Sequence, residues 1–375
     1  MAIEIGFWDY TCPRHGSLDR YSTEDWDILL DDLAAGGIQS LVLGVKWLTT
    51  GYRSRYDWLD QDPEAATIAT DNRTLYYALQ EAQKRGIKIW LLIVGTIFAT
   101  KPYGEQPPWR ESVEFCQNFY KLDAGYYDLD HPGLLERMTL LMEEVVELFG
   151  TYAHGIVVEL EFCDRAESHR IPIYNAWAEQ NNRPSYDEIK KIDLQPRSFP
   201  FTHWRDFTTD RRVHALKHLE YAIRNKGFQG ELATINEIEN NNMVVIGNTN
   251  LQRMSERLSD WSLVTYDGLY DRKLNRKASL EFCVDVPKQL GFQVNFLSRG
   301  VMTFLDPRPL QDEWRLIIED ALEAQPKRLW LLGTDAQYDG MICNKSQLPE
   351  WGFRDGREAR LSLIQLLHQM GIITP

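Results

Sequence analysis

Residues 72–94 run NRTLYYALQEAQKRGIKIWLLIV. The first part carries apolar side chains at helical spacing and predicts a helix over 72–85, stopped at Gly86. The second part, 88–94, is apolar on both faces, as a parallel strand buried beneath helices has to be. Working outward, the same pairing of short apolar run and amphipathic segment recurs. Upstream lie a strand over 3–10, then a helix that Thr23 can cap, with Asp25 and Asp27 near its amino end and a stop at Gly36-Gly37. A second strand is predicted over 41–47. Downstream come a helix over 134–149, a strand over 155–162 and, beyond a long insertion, a helix over 210–225 ending at Gly227. Strands over 231–235, 262–266, 293–296 and 328–332 alternate with helices over 248–258, 310–324 and 357–370.

Eight such strands leave a closed barrel or a doubly wound open sheet. An open sheet usually shows a Gly-rich turn after its first strand, and here Asp9-Tyr10-Thr11-Cys12-Pro13 stands in that place. The expectation is therefore an α/β fold, a (β/α)₈ barrel (TIM barrel) made by residues 1–375 as a single domain, since no linker-like tract divides the chain. Segments after strands two, three and four (48–71, 95–133 and 163–209) are far longer than a simple turn, whereas helix-to-strand connections are short. In a barrel the long ones all lie on the catalytic face. An insertion over 165–208 carries Tyr174, Trp177, Tyr186, Phe199, Phe201, His203 and Trp204, which either pack it onto the barrel or offer flat faces for sugar rings.

Composition narrows the partners. A formal net charge of −14 argues against nucleic acid, whose phosphates need clustered Lys and Arg. Cys12, Cys116, Cys163, Cys283 and Cys343 are odd in number and lack CxxC spacing, so neither a disulfide framework nor a zinc site is expected. No run approaches the roughly 18 apolar residues of a membrane span, and the amino terminus does not read as a signal peptide, so no membrane partner and a cytoplasmic location are expected. No GxSxG elbow or Walker sequence occurs, and no cofactor or metal is expected. His214 and His218 have metal-ligand spacing on a helix but no HExxH around them, and read as surface residues.

Carboxylates at predicted strand ends carry the most chemistry. Glu159 and Glu161 are two apart in strand four and share one side of it. A charge facing the helix layer would be buried without compensation, so that side is the barrel axis, near its mouth. One of them has a structural alternative, an ion pair with an inward cation such as Lys46. Glu237 follows strand five and Asp267 follows strand six, although an Asp before Gly268 also suits a turn. Asp335 follows strand eight. Trp8 and Asp9 at the end of strand one, Lys46 and Trp47 at the end of strand two, Tyr266, and Arg299 after strand seven are placed to complete a pocket. Two carboxyl groups across a sugar-sized gap are what cleavage of a glycosidic bond needs, one giving a proton to the leaving oxygen and the other attacking or activating water.

Strand two and its sequel, Leu41-Val42-Leu43-Gly44-Val45-Lys46-Trp47-Leu48-Thr49-Thr50-Gly51-Tyr52, is similar to the Lys-His-His-Asp-Gly-Phe segment of the α-L-fucosidase-like retaining glycoside hydrolases. Ser54-Arg55-Tyr56-Asp57-Trp58 resembles the Ser-x-Tyr-x-x-Trp pattern that follows there, and residues 79–92 match the family's helix, Lys-Arg-Gly and third strand. The resemblance spans residues 25 to about 164. It implies a barrel glycosidase with Glu159 or Glu161 in the place of the nucleophile at the end of strand four. Three departures separate the chain from fucose chemistry. Trp47 and Leu48 replace the two histidines, Asp9-Tyr10-Thr11 replaces a histidine-containing segment, and Glu stands where the family usually has Asp.

The reading is a retaining glycoside hydrolase acting on a carbohydrate, with Glu161 as nucleophile, Glu159 supporting or replacing it, Asp267 as acid/base and Glu237 in reserve. The alternatives are a divalent-metal-dependent sugar isomerase, with Glu159, Glu161, Glu237, Asp267 and Asp335 as oxygen ligands, and a non-catalytic carbohydrate-binding barrel.

Overall fold

The computed structural model describes residues 3–9, 21–46, 50–59, 61, 65–95, 97–98, 115–117, 125–127, 132–160, 170–191, 199–235, 249–266, 281–298, 310–332 and 354–374. Eight parallel strands close into a barrel: β1 (Glu4–Asp9), β2 (Ser40–Lys46), β3 (Lys88–Val94), β4 (Ala153–Glu159), β5 (Glu231–Ile235), β6 (Trp261–Tyr266), β7 (Val294–Ser298) and β8 (Arg328–Leu332). Each pairs with its neighbours in sequence, and β8 closes on β1 with Ile5 opposite Leu329 and Trp8 opposite Leu332. A helix follows each strand in turn: α1 (Thr23–Ala35), α2 (Arg73–Lys84), α3 (Pro132–Phe149), α4 (Phe199–Asn225), α5 (Leu251–Ser255), α6 (Val286–Gln289), α7 (Leu310–Ala324) and α8 (Gly356–Gln369).

Local sequence explains these elements. α1 buries Trp26, Leu29, Leu30 and Leu33, an i, i+3, i+4, i+7 stripe. Its cap is Ser22 rather than the expected Thr23. The Ser22 hydroxyl accepts from the Asp25 amide while the Asp25 carboxylate accepts from the Ser22 amide, and Thr23 becomes the first helical residue. Gly37 turns the chain at φ +72°, and an added Cβ would meet the Thr374 carbonyl at 2.6 Å. The strand expected over 155–162 ends at Glu159, because its ladder to β5 stops at Val158 opposite Thr234 and its ladder to β3 stops at Glu159 opposite Val94. The helix expected over 210–225 begins earlier, at Phe199, and that expected over 248–258 shrinks to a short turn capped by Asn250.

The barrel interior is filled by Trp8, Trp90 and Trp330 with Val42, Leu92, Val157, Ala233, Val264 and Leu297. The rings of Trp8 and Trp90 lie 5.5 and 5.3 Å from that of Trp330. Gly155 makes room for one of them, since a Cβ there would come within 2.4 Å of the Trp90 ring. Outside the sheet, a second apolar layer of alternate strand residues meets the helices.

Charges gather at the amino ends of the strands. Arg328, the buried first residue of β8, bonds Glu4 at 3.1 Å, Glu231 at 2.6 Å and the Asn295 amide oxygen at 3.1 Å, and its guanidinium lies 4.6 Å over the Trp90 ring. Lys88 adds a bond to Glu4 and Lys327 one to Glu231. This network ties the amino-terminal ends of β1, β3, β5, β7 and β8 together. Among the described residues no helix is long and apolar enough to cross a membrane.

Burial alone would raise the Glu231 carboxyl, but hydrogen bonds from His154, Arg328 and Lys327 outweigh it and hold it well below the usual carboxylate range. Such a group stabilises the fold fully above the unfolded-state value, near 4.5, and loses that contribution as pH falls toward its folded value. The parent should therefore melt above Glu231→Gln at pH 7, with the gap narrowing steadily in melting curves taken down to pH 3. A gap that does not change with pH would contradict this linkage.

Candidate active site

The carboxyl end of β4 holds the one candidate acid whose side chain is described. Glu159 follows Gly155 and Val157 on the interior side of the strand, while Val158 and Leu160 belong to the outer layer. It is 4% exposed. Its Cα lies opposite Val94, and its carbonyl accepts from the Gly95 amide at 3.0 Å. On the far side of β3 stands Lys46, buried, whose Nζ donates to the Val94 carbonyl at 2.7 Å. An interior carboxylate and an interior ammonium thus flank the end of β3, directly above an apolar floor.

That floor includes Trp8. The sequence placed Trp8 against substrate, but the ring has no exposed surface and packs on Trp330. Asp9 closes β1 with its Cα opposite Leu43, and Tyr266 closes β6 with its Cα opposite Leu297. The side chains of both lie outside the described residues, as do Glu161, Trp47, Glu237, Asp267, Arg299 and Asp335 entirely. In sequence, Glu161 comes two residues after β4, Glu237 two after β5, and Asp267 and Arg299 directly after β6 and β7.

Two polar residues that sequence reasoning passed over shape this end. Glu144 of α3 is buried and collects the loop that follows β2: the Tyr52 hydroxyl donates to it at 2.8 Å, the Ser54 hydroxyl at 2.6 Å and the Arg55 amide at 2.7 Å. At the start of that segment Lys46 forms an antiparallel bridge with Thr50, and the Gly51 amide donates to the Val45 carbonyl. Arg212 of α4, also buried, reaches the carbonyls of Leu160 and Ile235 at the ends of β4 and β5. Each stands on the apolar stripe of its helix, Glu144 with Leu141 and Leu148, and Arg212 with Leu216, Leu219 and Ile223. A charge on such a stripe was the available signal.

α4 packs beside α3 and leads to β5, and its segment before Arg212 continues the helix away from β5 for about 20 Å at 1.5 Å per residue. The insertion's aromatics mostly pack on one another. Tyr174 lies 5.1 Å from Trp204 and 5.4 Å from Phe207, in a small core with Trp177 and Ile189. Of the two reasons for that aromatic density, packing accounts for Tyr174, Trp177 and Trp204. His214 and His218 are exposed on the outer face of α4. Among the described residues no group of three or more His, Cys, Asp and Glu side chains gathers to hold a metal.

No family model matches the chain, and no curated protein matches it in sequence. Solved structures do. The glycoside hydrolase domain of PgaB (BpsB) from Bordetella bronchiseptica is 10% identical with a TM-score of 0.60, over 93% of this chain and 98% of that one. The β-galactosidase of the psychrophilic Marinomonas ef1 is 13% identical with a TM-score of 0.65, over 98% of this chain and 60% of that one. The β-galactosidase of the haloarchaeon Halorubrum lacusprofundi is 14% identical with a TM-score of 0.64, over 97% of this chain and 58% of that one. The chain thus spans about three fifths of the length of these β-galactosidases. At such identities the likeness establishes the (β/α)₈ barrel, and it is not to the fucosidase-like barrel in particular.

The Glu144 anchor generates a direct test. Glu144→Ala removes the acceptor for the Tyr52 and Ser54 hydroxyls and the Arg55 amide, and should cost about 3 kcal/mol in denaturant unfolding. Limited proteolysis should then cut first within 50–59; an unchanged midpoint and cleavage pattern would refute the anchor.

Proposed function

We propose that this chain is a glycoside hydrolase that retains anomeric configuration. The observation that carries the reading is the placement of Glu159: an interior carboxylate at the carboxyl end of β4, in a barrel whose other end is tied together by the Arg328 network. The likeness to the PgaB hydrolase domain and the β-galactosidases supports the same chemistry, applied here to a carbohydrate substrate. Glu161 is the proposed nucleophile, with Glu159 supporting or replacing it. Asp267 is the proposed acid/base, since β4 and β6 reach across the mouth, and Glu237 is the reserve. Trp8, Asp9, Lys46, Trp47, Tyr266, Arg299 and Asp335 are proposed to line the pocket. Residues 1–375 are taken as one barrel domain with 165–208 inserted, working in a reducing cytoplasm. The departures at Trp47 and Leu48 turn the reading away from fucose, although the strand-two pattern remains similar to that of the fucosidase-like enzymes.

In a retaining enzyme the nucleophile attacks the anomeric carbon while the acid/base protonates the departing oxygen, and water then releases the sugar. The two carboxyl groups should lie about 5–5.5 Å apart, against about 6.5–9.5 Å in an inverting pair. The acid must hold its proton near neutral pH, which burial or a neighbouring carboxylate provides.

A panel of chromogenic glycosides, assayed with and without EDTA, tests the reading. Turnover of at least one glycoside, insensitive to chelator and with retained configuration by NMR, is expected. Glu161→Gln keeps the side chain's shape and should lower turnover on the order of a thousandfold while substrate still binds. Near-normal turnover in both Glu161→Gln and Glu159→Gln would remove the β4 nucleophile. Loss of parent activity with EDTA would favour the metal-dependent isomerase class, and sugar affinity without turnover a binding barrel.

A further inference from the structure

The ladder between β4 and β5 ends before the strands do. Its last pair is Val158 opposite Thr234, and the backbone beyond runs through Glu159 and Leu160 on one strand and Ile235 on the other. Among the described residues no ladder pair beyond Val158 and Thr234 joins the two strands, and buried carbonyls need donors. Arg212 supplies them. One guanidinium nitrogen, Nη2, donates to the Ile235 carbonyl at 2.6 Å and reaches the Leu160 carbonyl at 3.4 Å, while Nη1 donates to the Thr249 hydroxyl at 3.1 Å. The side chain is 3% exposed.

We infer that Arg212 is a positioning residue for catalysis, a clamp that takes over where the β4–β5 ladder stops and sets the spacing of the carboxylates borne on those two strand ends. The inference rests on the glycosidase reading. In sequence, Glu159 precedes Leu160 and Glu161 follows it, and Glu237 comes two residues after Ile235. Releasing the Leu160 carbonyl therefore loosens the backbone that carries Glu159, the residue before it. A planar guanidinium suits this task, because its donors are fixed relative to one another, whereas a lysine ammonium presents a single flexible point.

The rest of α4 is held independently, which makes the clamp separable from the fold. The Asn250 amide donates to the Thr209 hydroxyl at 2.8 Å, the Asn250 side-chain amide to Asp206 at 2.7 Å, and Arg253 to Asp210 at 2.6 Å. With these contacts in place, loss of Arg212 leaves α4 docked while the strand ends and the Thr249 hydroxyl lose its donors.

The test compares Arg212→Met and Arg212→Lys in the full chain. On the chromogenic glycoside turned over fastest by the parent, Arg212→Met should lower kcat about a hundredfold with KM little changed, and Arg212→Lys should recover part of the loss. Hydrogen–deuterium exchange in peptides covering 156–160 and 232–235 should quicken in Arg212→Met, while peptides at the amino ends of β1 and β8 keep the parent rate. An unchanged kcat, or a fall in activity matching only the fraction of folded protein, or a lysine variant no better than methionine, overturns the positioning role. Exchange that stays at the parent rate overturns the clamp itself. A parent with no turnover on any glycoside overturns the glycosidase reading, and exchange still decides whether the clamp exists.

Discussion

Arg328 sits where a closed parallel barrel is hardest to build, at the end through which the interior would otherwise open to water. Its charge is tolerated there because Glu4 and Glu231 neutralise it, Asn295 takes a further donor and Trp90 covers its face. These partners come from β1, β5, β7 and β3, so one guanidinium joins strands from around the whole circumference. The tryptophans stacked above it fill the bore, and Gly155 yields the space they take. With one end tied together and the middle packed, the carboxyl end is where polar side chains can meet a ligand.

The mouth follows the same rule in reverse. Interior positions there carry Lys46 and Glu159 in place of Val and Trp, each held by the neighbouring strand end. Buried polar groups outside the barrel keep its rim in shape. Glu144 fastens the loop after β2 to α3, and Arg212 fastens β4 and β5 to α4. In both cases a helix of the outer ring controls a strand-end segment through one charged side chain. That division lets the long segments after β2, β3 and β4 vary in chemistry while the barrel beneath stays fixed.

Much of this was legible in the sequence. The strands over 88–94, 231–235 and 328–332 stand where their apolar runs put them, because continuous burial on both faces leaves little freedom in register. The cost of burying a charge against the helices pointed Glu159 inward, and it stands in alternation with Val157 of the interior. Other features depend on contacts between distant residues. The part of α4 before Asp210 carries Trp204 and Phe207, which pack against Tyr174 and Trp177, a contact no local period reveals. The packing of the Trp8 ring against Trp330 is likewise a contact between distant residues. Glu144 and Arg212 broke the apolar stripes of their helices, and that breach was the clue to their roles. The remaining candidate acids come after the strands, where alternation no longer dictates direction.

The central claim is that a carboxylate on β4 attacks the sugar. Incubation with an activated 2-deoxy-2-fluoro glycoside, which slows release of a glycosyl-enzyme, followed by peptic digestion and mass spectrometry, tests it most directly. The account predicts one covalent adduct on a peptide containing residues 159–161, with fragmentation placing it on Glu161 or Glu159. An adduct on another segment, or steady hydrolysis with inversion and no adduct, would contradict it.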